Sequence, residues 1–289
     1  MSGTARPAHS ARHGRVRAAA MALAAVLAAV LAGCSGSGRP AGGPAPRGGI
    51  APTTAPAFRV LVFTRTAGFR HASIPVGVAA IRRLGAEHGF AVDDTADAGR
   101  IGGGGLAGYR VVVFLSTTGD LLDGAQRAAL QRYVRGGGGW VGVHAAADAE
   151  YGWPWYGELV GAFFRRHPAV QRAVVHVAPD ATDAAGPLPA RWERSDEWYD
   201  FRSNPRGRVR VLATVDESTY SGGTMGHDHP IAWCRGLQGR NGRQGAPLGR
   251  GRSWYTAMGH TSESFQEPLF LAHLLAGIRY AAGVSGARC

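Results

Sequence analysis

The chain has 289 residues, 45% of them hydrophobic and 9% aromatic, which suits one globular domain with a sizeable core and excludes disordered and fibrous classes. Its formal net charge of +12 comes from arginine alone, because all 32 basic residues are arginine and lysine is missing. The arginines are spread through loops and helices rather than gathered with aromatics on one face, so no nucleic-acid partner is expected; the densest group lies in a glycine-rich insertion at residues 235–252.

The first 34 residues read as an export leader. Arg6, Arg12, Arg15 and Arg17 precede an apolar run over residues 18–32, which is shorter than the roughly 20 residues that cross a bilayer. The run ends in Leu31-Ala32-Gly33-Cys34, which resembles a bacterial lipobox, so Cys34 is the expected lipidation site and the protein is expected on the extracytoplasmic face of the cell membrane. A Ser, Gly and Pro-rich tether then fills residues 35–57. The folded domain is expected over residues 58–283, with a short tail at 284–289. Cys234 and Cys289 could pair outside the cytoplasm, but two free thiols are expected, since Cys289 stands in a small-residue tail.

From residue 58, short β-branched runs alternate with helical periods, the pattern of a mostly parallel sheet with helices on both faces. Residues 58–64, 90–94, 110–116 and 140–144 read as strands, and residues 74–88 as a helix. A second helix runs through Leu130 and Val134, with Asp123 as its N-cap. Further strands are expected at 170–178, 209–215, 230–234 and 253–258, with a closing amphipathic helix at 268–281. Open α/β sheets build their sites outside the carboxyl ends of the strands, which is where this chain concentrates its ionisable and aromatic residues. No Gly-x-Gly-x-x-Gly turn follows the first strand, and the glycines at 102–105 stand too far from a helix to cradle phosphate.

Several motifs recur in order: Thr66 through His71, Ser116 through Asp120, Val141-Gly142-Val143-His144-Ala145-Ala146, Trp153-Pro154-Trp155-Tyr156, Asp196-Glu197-Trp198-Tyr199, Asp216 through Tyr220, His229 through Trp233, and Gly259-His260-Thr261. Together they resemble the ThuA-like family named after trehalose utilisation, over about residues 58–283. The resemblance implies a flavodoxin-like, class I glutamine amidotransferase-like α/β fold. It also implies a role with disaccharides and their 3-keto derivatives, supplied by a separate sugar oxidoreductase. Where the amidotransferases carry a cysteine nucleophile on a strand-to-helix elbow, the similar turn here carries His144, which removes thiol chemistry. The insertion at 235–252 replaces what is usually a short turn in the family.

His144 is therefore expected as a general base or a metal ligand. His71, in the loop after the first strand, is expected to touch substrate, and Asp120 to act as a cap. His144, His229 and His260 are the candidate ligands for a divalent metal such as zinc, with His227 in reserve. Adjacent residues of an extended segment point opposite ways, so Glu197 and Glu217 are the members of their acidic pairs expected to face the site. Glu197 and His260 join His144 as candidate catalytic residues. Glu217 with Trp153, Tyr156, Trp198 and Tyr220 would form a sugar pocket, whereas Trp233 and Trp254 belong to the core. Three readings stay open: an enzyme that cleaves or isomerises an oxidised sugar by proton abstraction, one that hydrolyses a glycosidic bond directly with two carboxylates, and a carbohydrate-binding lipoprotein without turnover.

Overall fold

Runs of fully buried Val, Leu and Phe set the first half of the domain into alternating strands and helices. These are β1 (Arg59–Phe63), α1 (Ile74–His88), β2 (Ala91–Thr95), β3 (Val111–Leu115), α2 (Gly124–Arg135) and β4 (Gly139–Val143). The structure is a computed structural model describing residues 56–238 and 248–289. The expected leader, Cys34 and most of the tether lie outside the described residues, as does the centre of the insertion at 239–247. Local chemistry places the helix ends. Asp123 and Gln126 form a reciprocal capping box at the start of α2, and Gly89 closes α1 in the left-handed region at φ 75°.

The second half adds α3 (Pro154–Val160), β5 (Phe164–Arg166), β6 (Gln171–Val177), α4 (Thr182–Ala185), β7 (Arg191–Asp196) and β8 (Asp200–Phe201). It continues with β9 (Arg210–Asp216), β10 (Pro230–Gly236), β11 (Arg252–Thr256) and α5 (Pro268–Ala282). Nine strands form one sheet in the order β2-β1-β3-β4-β11-β10-β9-β6-β7, and β5 pairs with β8 apart from it. The first five are mutually parallel, and β10, β9, β6 and β7 continue antiparallel. Side chains alternate across β4: a Cβ on Gly139 would strike Ala281 of α5, whereas Trp140 packs edge-on against Tyr156 of α3, so both faces carry helices. The described ends of the insertion keep β10 and β11 in register, with Gly236 opposite Arg252.

β7 was not anticipated from the sequence. Its inward positions are Trp192, Arg194 and Asp196, so the buried stripe of this strand is mostly charged and carries no apolar alternation. The cysteine expectation is overturned. Past Gly283 the tail turns back to β10, where Cys234 and Cys289 form a disulfide with Cα atoms 5.7 Å apart and Arg210 donates to the Arg288 carbonyl. The whole sheet and its helices belong to one unit, Pro52–Cys289, which holds all the described core and so has what it needs to fold alone. Among the described residues no helix is long and apolar enough to cross a membrane.

Candidate functional site

The parallel strands β1, β3, β4 and β11 end on one edge, and the loops that leave them are stitched together by isolated bridges, Thr66 with Thr118 and Gly119 with Ala149. At the centre stands His144, the first residue after β4, with a positive φ of 52°. A non-glycine residue in this region is strained and must be held by its surroundings. β11 does so from both sides: the Tyr255 hydroxyl donates to the His144 carbonyl at 2.8 Å, and His144 Nδ1 donates to the Ala257 carbonyl at 2.7 Å. Committing the Nδ1 proton to that carbonyl leaves Nε2 as a lone pair aimed into the site.

Three more donors meet that lone pair. His71 Nε2 and His260 Nδ1 each lie 3.2 Å from His144 Nε2, and Glu197 Oε2 lies 3.5 Å from it and 3.2 Å from His260 Nδ1. All four donor atoms fall within 4.8 Å of one another. Donors about 2.1 Å from a tetrahedral ion are separated by roughly 3.4 Å, so these spacings fit a divalent cation bound by His71, His144, His260 and Glu197. The electrostatics of His71 and Glu197 suit that set. Burial, with the charges of His144 and His260 nearby, pushes the His71 imidazole down to about 3, so it is neutral at physiological pH. Burial alone would raise the Glu197 carboxyl, but the neighbouring His144 and His260 imidazoles outweigh it and hold the group at about 2. The same carboxylate draws the His260 pKa upward.

Asp196, fully buried beside Glu197, supports the site from behind. One carboxylate oxygen accepts from the Glu197 and His260 amides at 2.9 and 3.1 Å; the other accepts from the Gly259 amide and from Arg194, both at 2.8 Å. The two residues of this acidic pair thus face opposite ways, as an extended segment requires. Over the open side stands His167, 41% exposed in its side chain, with Nδ1 3.0 Å from Glu197 Oε1. The sequence reading missed it, because a histidine between arginines and a proline looks like any surface loop residue. Tyr199, the neighbour of Trp198 in the acidic-aromatic motif, is the ring that reaches the site, 4.3 Å from that of His144. Phe69 is 68% exposed and meets the His71 ring edge-on at 4.9 Å.

Other expectations do not hold. His229 does not join His144 and His260: its Nε2 lies 2.8 Å from the Tyr199 carbonyl and its Nδ1 2.8 Å from Glu217, within a separate cluster that includes Asp200. Glu217 therefore faces His229 rather than the histidine site, and Tyr220 lies there too, its hydroxyl 3.2 Å from His229 Nδ1. His227 is exposed. Tyr156 and Trp198 are buried, their polar tips donating to the carbonyls of Ala146 and Gln171, and Trp153 packs between Trp155 and Tyr156 under Arg127. Large rings whose polar atoms find main-chain partners serve the core rather than a sugar pocket. Trp233 and Trp254 are core residues, as expected. Asp120 caps nothing in the described hydrogen bonds; the Leu121 and Leu122 amides are taken by Glu150 instead.

The sequence profile of the family described as trehalose utilisation, ThuA, matches residues 59–281. Among solved structures, a ThuA-like protein from Bacteroides uniformis is 26% identical, with a TM-score of 0.64 over 79% of this chain and 92% of that one. Another, from Parabacteroides merdae, is 19% identical, with a TM-score of 0.62 over 80% and 92%. A β-galactosidase from Bacillus circulans is 14% identical, with a TM-score of 0.50 over 78% of this chain and 31% of that one, a likeness of fold alone. A comparison with curated proteins gives no match.

Proposed function

Because the chain belongs to the ThuA family of trehalose utilisation, we propose that it is a metal-dependent enzyme that removes a proton beside a sugar ketone, acting on a 3-keto disaccharide. The observation that carries this reading is the convergence of His71, His144, His260 and Glu197, from four separate segments, at spacings that fit one cation. This set replaces the expected trio that included His229. A divalent ion such as zinc, when bound there, supplies the Lewis acidity that polarises a carbonyl oxygen.

The chain's own groups supply the rest. A ketone at sugar C3 makes the C2 proton acidic. A base takes that proton, the electron pair moves to the C3 oxygen as an enolate, and its return expels the glycosidic oxygen from C1, which takes up a proton. Reprotonation elsewhere would instead isomerise the sugar. Glu197, held ionised, is a weak base at neutral pH and serves better as a ligand. His167, half-exposed, with Nδ1 2.9 Å from the Pro168 carbonyl and 3.0 Å from Glu197 Oε1, stands where a base must reach substrate. Phe69 offers an exposed ring for the apolar face of a sugar, the role first expected of the buried tryptophans. The leader-like segment ending at Cys34 supports a lipid-anchored protein outside the cytoplasm, receiving keto sugar from an oxidoreductase.

The test takes the 52–289 fragment, assayed for bound metal, and mixes it with 3-keto-trehalose and with trehalose while products are followed by NMR. Expected is conversion of the keto sugar only, abolished by chelator and reduced about 10²- to 10⁴-fold in His167→Gln, which keeps its metal. Ligand-induced shifts without conversion in either case would instead establish a carbohydrate-binding lipoprotein.

A further inference from the structure

The edge of the sheet opposite the histidine site has a different electrostatic character. Arg110 just before β3, Arg132 near the end of α2, Arg250, and Arg252 at the start of β11 line an open cavity of about 540 Å³ floored by Tyr109, Tyr133 and the 136–138 glycine turn. Arg135 and Arg279, in the last turns of α2 and α5, point to the same end. Among the described residues none of these six has a carboxylate within 4.0 Å, unlike Arg82, Arg172, Arg191 and Arg206, although exposed Arg65, Arg165 and Arg202 on other segments also lack one. The remaining sequence cannot neutralise them, since residues 1–55 and 239–247 contain no Asp or Glu. Favourable placement at helix carboxyl termini accounts for Arg132, Arg135 and Arg279 but not for Arg110, Arg250 and Arg252, which lie outside the helices. The sequence alone spread these arginines along the chain; the fold collects them.

The chain enters the domain at this same edge. Pro56 stands three residues before β1, and the Arg59 carbonyl accepts from the Arg110 amide at 2.8 Å, so the tether residues join the fold beside the arginines. We infer that this arginine-lined edge docks the domain on an anionic lipid surface, with the histidine site turned outward to solvent. Guanidinium groups bind phosphate bidentately, and each one near an anionic leaflet multiplies surface partition by about fivefold. The inference needs neither the metal nor the sugar chemistry. It draws on the lipid-anchor reading only for the choice of a membrane over a free anion.

The test is co-sedimentation of the 52–289 fragment, which lacks Cys34, with phosphatidylglycerol vesicles and with phosphatidylcholine vesicles. Expected is salt-sensitive binding to the anionic vesicles only, reduced about 25-fold in the double variant Arg132→Gln/Arg250→Gln and unchanged in Arg172→Gln on another face. Both variant sites are exposed, and an unaltered melting midpoint would show that the fold is kept. Equal binding to both vesicles, no binding to either, or equal loss in the Arg172 control would overturn the proposal. So would displacement by inorganic phosphate at constant ionic strength, which would place a small anion in the cavity, or binding to DNA duplex in preference to vesicles.

Discussion

Asp196 directs both carboxylate oxygens to main-chain amides and one guanidinium, so it orients Glu197 and His260 without offering either oxygen to the site. Groups in that position tune metal affinity by about 10- to 100-fold when altered. Asp196→Asn should therefore weaken zinc affinity by that factor while the four ligands stay in the chain; unchanged affinity in a competition with a chelating dye would remove Asp196 from the site's support. His273 makes a second case at this scale. It is fully buried, with Nδ1 donating to the Ala185 carbonyl at 2.7 Å, and burial holds its pKa down at about 4. Between about pH 6.5 and 4 the unfolded chain takes up a proton that the folded one refuses, so stability falls as pH drops through that window, by up to about 3 kcal/mol. In metal-free protein, His273→Leu should flatten that decline although it is less stable at pH 7. Denaturant titrations across the window measure the slope, and an unaltered slope would refute the assignment.

Among the elements, the parallel half was legible because its buried strands are unbroken apolar runs and its helices carry their own punctuation, Asp123 at one start and Gly89 and Gly283 at two ends. The antiparallel edge was less so. β7 places Arg194 and Asp196 inward because they serve the site and the segment leading into α5, where Arg194 also bonds Ser264 and Glu267, so function overrode the hydrophobic signal. The tail misled for another reason: small residues look untethered until Cys289 is seen against Cys234. That link ties the end of the chain to β10 across a sequence separation of 55, for which chain entropy gives about 4 kcal/mol. Cys289→Ser should accordingly lower unfolding free energy by about 2–4 kcal/mol while leaving metal content intact. A loss of metal as well would mean that the tail supports the site through β10 and β11.

For the molecule as a whole, the site was half legible. His144 and His260 announced themselves at strand ends, and the acidic pair beside Trp198 pointed to Glu197. No spacing could reveal that His71 belongs with them while His229 does not, because that depends on which loops share an edge of the sheet. The same long-range assembly makes a prediction. The four donors sit after β1, β4, β7 and β11, so a bound ion would link segments separated by up to 189 positions, from His71 to His260. An ion that binds only the folded state stabilises it by about 2.7 kcal/mol at a free concentration of 100 Kd, which for a domain of this size raises the melting midpoint by roughly 5–10 °C. Calorimetry of the 52–289 fragment with zinc and with chelator should show that shift. It should vanish in His144→Ala and His71→Ala alike, yet persist in His229→Gln, even though that substitution disturbs a buried cluster and lowers the baseline midpoint. Equal shifts in His71→Ala and wild type would put the ion elsewhere, and a shift abolished only in His229→Gln would move the metal centre to the Asp200, Glu217 and His229 cluster.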